Sequence, residues 1–118
     1  MFDINSLDIE IKQLKADTLS EYGKKVEIAI EMLKKNKRIL IRERKISDKL
    51  NKKISKSPFF KRNRLKELKQ RVDKKIKKLE LDIERLKELK AKYINDYKTH
   101  REYLGLYDHD FIDKFYHK

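Results

Sequence analysis

The chain has 118 residues, with 33 Lys or Arg against 20 Asp or Glu, two Gly, one Pro and no Cys. One domain fits that length, and 45% charged residues beside 38% apolar ones cannot wrap a thick two-layer core, which points to an elongated molecule. The lack of Cys excludes a disulfide framework, a zinc knuckle and a thiol nucleophile, and no apolar run is long enough for a membrane span or a signal-peptide core.

These features predict a soluble, cytoplasmic protein, and a net charge of +13 predicts a polyanionic partner. Helix formers dominate, and the residues that interrupt helices, Gly23, Pro58 and Gly105, divide the chain. The expected fold class is all-α: a long antiparallel helical hairpin of coiled-coil type within one domain. Its parts are an N-terminal helical segment (1–22), hairpin helix 1 (23–56), hairpin helix 2 (57–104) and an aromatic C-terminal tail (105–118).

In the first segment Asn5 and Ser6 can cap a helix carrying Leu7, Ile11 and Leu14. Thr18-Leu19-Ser20-Glu21 reads as a second capping box, so a kink is expected near 17–23. From Leu19 a heptad seam begins, with Leu19, Val26, Leu33, Leu40 and Ile54 at a and Tyr22, Ala29 and Leu50 at d. Asn36, Glu43 and Ser47 are its polar exceptions. A turn follows near residues 55–58, with Ser57 as cap and Pro58 in the first helical position.

Beyond the turn Leu65, Val72, Leu79, Leu86 and Tyr93 recur every seven residues. Ile76, Ile83, Tyr97 and Leu104 fill the companion row, with Lys69 and Lys90 as interruptions. So short a connection makes the two helices antiparallel. An alignment in which Glu43 meets Lys69 and Tyr22 meets Lys90 gives a polar seam residue a plausible partner in two of the awkward layers, while Asn36 falls beside Ile76. Gly105 should end the second helix. Asp108 should cap a short third helix carrying Phe111, Ile112, Phe115 and Tyr116, which folds back onto the open end beside Phe2 and Ile4.

Charge is segregated along this hairpin. Residues 34–78 hold 21 basic and four acidic side chains. The residues expected to meet a polyanion are Lys34, Lys35, Lys37, Arg38, Lys49, Lys52, Lys53, Lys56, Lys61, Arg62, Arg64, Lys74, Lys75, Lys77 and Lys78. A Lys-rich face also keeps an apolar seam soluble, but solubility does not require one sign at one end. Phe59 and Phe60 stand at the tip inside this basic collar, and the expectation is that one closes the seam while the other is exposed for a base or a protein pocket. A further row, Met32, Ile39 and Ile46 with Leu68 and Leu89, predicts a face for a homodimer or other partner.

Chemistry is sparse. There is no Gly-rich phosphate loop and no nucleophile with a base at useful spacing, and the three His all fall in the last nineteen residues. His109 beside Asp108 and Asp110, and His117 four residues after Asp113, are explained by helix capping more simply than by metal ligation. No enzyme, cofactor or metal is therefore expected, and His100 reads as a packed residue. The leading expectation is a non-enzymatic protein that binds nucleic acid without sequence preference. The alternative is an inhibitor or assembly factor that presents its basic hairpin to an acidic protein surface or to the groove of a nucleic-acid-processing machine. Binding at an anionic membrane surface is third, disfavoured because Lys surrounds the helices without a wide apolar face opposite.

Overall fold

The computed structural model describes residues 4–116, with side chains from residue 5. Phe2 and His117, named above, lie outside the described residues. Three helices follow in order: α1 (Ile4–Lys56), α2 (Phe59–Tyr103) and α3 (Asp110–Tyr116). The first two form an antiparallel hairpin. None of the described helices is long and apolar enough to cross a membrane.

Every seam position read from the heptads is buried or half-buried, including the polar exceptions Asn36, Glu43, Ser47, Lys69 and Lys90. The expected interruption at 17–23 is absent, because α1 continues through it for 53 residues. Thr18 does not cap a new helix; its hydroxyl donates to the Leu14 carbonyl one turn back, at 2.9 Å.

By packing, the chain divides into two units: 32–87, and 1–31 with 88–118. In unit 32–87 the core is Leu33, Leu40, Ile83 and Leu86, supported by Ile76 and Leu79. Polar contacts fix its register. Lys75 Nζ donates to Glu43 Oε1 at 2.9 Å, Ser47 Oγ to Asp73 Oδ1 at 2.8 Å, and Arg44 to Glu80 at 3.2 Å. Glu43 therefore meets Lys75 and not Lys69, which pairs with Asp73 on its own helix. The alignment differs from the expected one by roughly a heptad, a slip that keeps a facing d in every apolar layer.

The turn of this unit is only Ser57-Pro58. Pro58 is the N-cap of α2, since its carbonyl accepts from the N–H groups of Lys61 and Arg62 at 3.0 and 3.2 Å. Ser57 closes α1 instead of capping α2: its hydroxyl donates to the Lys53 carbonyl. The Arg62 Nε–H donates to the Ser57 carbonyl at 2.9 Å and ties the turn to the first turn of α2.

The other unit is built on Val26, Ile94, Ile112 and Tyr116, with Ile30, Tyr93 and Tyr97 packed around them. Gly105, at φ 86°, ends α2 in a Schellman motif, with Gly105 N–H donating to Glu102 O at 2.9 Å and Leu106 N–H to Arg101 O at 2.8 Å. His109, one position later than the expected Asp108, is the N-cap of α3, and the Asp108 carboxylate just before it accepts from the Asp110 N–H at 3.1 Å. Only half of the tail's aromatic and apolar set is inside: Ile112 and Tyr116 are buried, whereas Phe111 and Phe115 are exposed. A seven-residue helix lying on a surface has one inner face, and residues four apart share it. Lys98 pairs with Asp113 to hold α3 in place.

Candidate polyanion interface

Unit 32–87 carries 23 basic and seven acidic side chains. The acidic ones near its core are neutralised within the hairpin: Glu43 by Lys75, Asp73 by Lys69 and Glu80 by Arg44. Every one of the fifteen basic residues expected to contact a polyanion is exposed and belongs to this unit. Two have structural duties as well, Lys75 on Glu43 and Arg62 on the Ser57 carbonyl.

The charge is purest at the turn. From Lys49 to Lys66 eight exposed basic side chains occur with no carboxylate between them. Lys66 belongs to this set although the motif reading did not name it; a count of charges along the chain would have found it. Basic residues in the last turn of α1, Lys53 and Lys56, suit the negative end of its dipole. The first turn of α2 lacks any acidic residue and is followed at once by Lys61, Arg62 and Arg64. Cations at a helix N-terminus oppose the dipole, so this arrangement costs local stability that an approaching anion restores.

Both Phe59 and Phe60 are exposed, at 79% and 76%, which corrects the expectation that one is packed. The tight turn leaves the end of the seam to Ile54 and Leu65, both half-buried, and the two Phe lie outside it. Phe60 instead lines a shallow groove with Lys61, Arg64, Leu65 and Leu68. Leu68 thus belongs to an apolar strip bordered by cations as well as to the row expected at a partner face. Of that row, Met32, Ile46, Leu68 and Leu89 are exposed and Ile39 is half-buried; Leu89 falls in the other unit.

In comparisons with protein-family models, curated proteins and solved structures, nothing matches this chain.

The two described His residues, His100 and His109, are engaged with neighbouring side chains. His100 is half-buried with its ring 4.9 Å from that of Tyr22, the neighbour expected of Lys90. His109 Nε2 is 3.0 Å from Glu102 Oε1, and its Nδ1 is buried. Among the described residues no three His, Asp or Glu side chains converge into a group that could hold a metal.

Proposed function

We propose that this chain is a non-enzymatic, cytoplasmic nucleic-acid-binding protein that lays its hairpin turn on phosphate backbone without reading sequence. The observation that carries this is the stretch from Lys49 to Lys66, with eight exposed cations and no carboxylate on two helix ends. Phosphates attract such a surface irrespective of base identity, and each phosphate neutralised releases counterions, so binding weakens as salt rises. Phe59 and Phe60 add a stacking platform that suits unpaired bases more than duplex.

The groove beside Phe60 supports a second reading, an inhibitor or assembly factor seated on an acidic protein surface, because an aromatic anchor in a cationic rim is also a protein-docking feature. Native purification with nuclease and salt steps separates the two. The nucleic-acid reading expects RNA and DNA to be retained at low salt and released by salt, and retention to be lost when Lys52, Lys53, Lys56 and Lys61 are all changed to Glu. Arg62 is left intact because it also holds the turn. No retention of RNA or DNA at low salt would falsify the reading. A stoichiometric protein that survives nuclease would replace it with the second.

A further inference from the structure

The first turns of α1 are helical yet exposed, with no other described residue covering them. Residues 5–17 are all exposed, among them Leu7 at 38%, Ile11 at 42% and Leu14 at 67%. These three, continued by Thr18, follow a 4-3-4 spacing and so form one narrow stripe. It is not an extension of the hairpin seam. That seam begins at Leu19 and Tyr22, and at 3.6 residues per turn the two stripes are rotated by roughly a quarter of the circumference of α1. Helix α2, which packs on the seam stripe, ends at Tyr103 in a closed Schellman motif. The chain therefore writes a second heptad register on α1, on a face that the hairpin leaves open.

We infer that this stripe pairs in parallel with the same stripe of a second copy of the chain. Three features select that occupant. Ile11 and Thr18 fall at a and Leu7 and Leu14 at d, and β-branched residues at a with Leu at d favour two parallel strands. In the parallel register Glu10 at g faces the e position of the other copy, which is Lys15, and by symmetry this attraction occurs twice. The reverse orientation sets Glu10 near Asp17 of the second copy, a like-charge repulsion that cancels the attraction it creates between Asp8 and Lys15, so only the parallel pairing gains a net charge attraction. The exposed Asp8–Lys12 pair at 3.2 Å lies on one helix and does not compete with these contacts. Two heptads make a short coiled coil, but the arm is already part of a 53-residue helix, so pairing does not bear the nucleation cost of an isolated peptide.

The pairing is independent of the polyanion reading and is tested without nucleic acid. The nuclease-treated full chain is followed by sedimentation over a range of concentrations at moderate salt, which screens the repulsion between basic units. A shift from one-chain to two-chain mass is expected, and Ile11→Glu should abolish it while leaving the helical circular dichroism of the hairpin in place. The chain contains no Cys, so single Cys variants report geometry cleanly. Leu7→Cys and Leu14→Cys should each cross-link to themselves at least tenfold faster than Ile28→Cys, an exposed position on the same helix. One-chain mass at every concentration overturns the inference, as does a dimer that survives Ile11→Glu but is lost in Ile46→Glu. Cross-linking only between mixed Leu14→Cys and Ile11→Cys chains overturns the parallel arrangement.

Discussion

Lys75 reaches across the hairpin to Glu43, Nζ to Oε1 at 2.9 Å, and Glu43 is the one charged side chain buried among the described residues. The carboxylate occupies a seam position one turn from Leu40, where an aliphatic residue would pack without a partner. Its ammonium partner stays more than half exposed, so water screens the attraction and little net stability comes from the pair. What the pair supplies is discrimination between registers. Any slip that moves Lys75 away leaves a buried carboxylate uncompensated.

The two partners should therefore respond differently to substitution. Lys75→Met removes the donor and leaves Glu43 buried, a loss of about 1 kcal/mol. Glu43→Leu replaces the charge with a seam residue of similar size and should be neutral or stabilising, by about 1 kcal/mol. Urea unfolding followed by circular dichroism measures both. A Glu43→Leu protein less stable than Lys75→Met would show that the carboxylate contributes more than register.

The heptads made the seam legible residue by residue, because burying one stripe of an antiparallel pair constrains its spacing on both helices. They did not make the register legible. Shifting α2 by seven residues again sets its seam rows against those of α1, so the polar contacts of Glu43, Ser47 and Arg44 distinguish one alignment from the next, and their partners Lys75, Asp73 and Glu80 lie just outside the stripes that periodicity reveals. The break expected near Thr18 failed for a related reason. The change of stripe there looked like an end of helix, whereas it marks a change of face on a helix that continues. At the turn, the basic collar was visible as charge, but the exposure of both Phe59 and Phe60 depended on a connection of two residues in place of four.

The two glycines should respond to Ala with opposite signs. Gly23 lies inside α1, and a Cβ there would meet the Tyr116 hydroxyl at 3.5 Å and the Tyr97 ring at 3.6 Å, which is ordinary contact. Gly23→Ala should then gain about 0.5–1 kcal/mol from helix propensity alone. Gly105 has open space around it, but its φ of 86° belongs to the left-handed region. Gly105→Ala should lose about 1 kcal/mol by straining the end of α2. Thermal melts of the two variants check the pair, and equal shifts in one direction would contradict both arguments.

Alkaline pH should loosen the unit that α3 completes. Burial, reinforced by the negative charge of Glu27 and by Tyr97, raises the pKa of the Tyr116 phenol above its ordinary value of 10.0. The sign follows from proton counting. Above pH 10 the unfolded chain has released this proton while the native chain still holds it, so stability falls as pH rises. Melting temperature should drop from about that pH upward, and Tyr116→Phe should flatten the drop. Identical slopes in the two proteins would assign alkaline sensitivity to other groups.

At the turn, charge and aromaticity should separate in a salt titration. Lys52, Lys53 and Lys56 are exposed point charges near the end of α1, so each Lys→Ala change should reduce the slope of log binding constant against log salt by about 0.7–0.9, with the lower figure for single strands. Phe60→Ser changes no charge. It should leave that slope intact and weaken single-strand binding by about 1–3 kcal/mol if a base stacks on the ring, with little effect on duplex. The same variant reports on the groove shared with Leu65 and Leu68. If Phe60→Ser leaves both nucleic acids untouched but removes a co-purifying protein, the aromatic tip is a protein anchor and the cations around it serve to steer that partner.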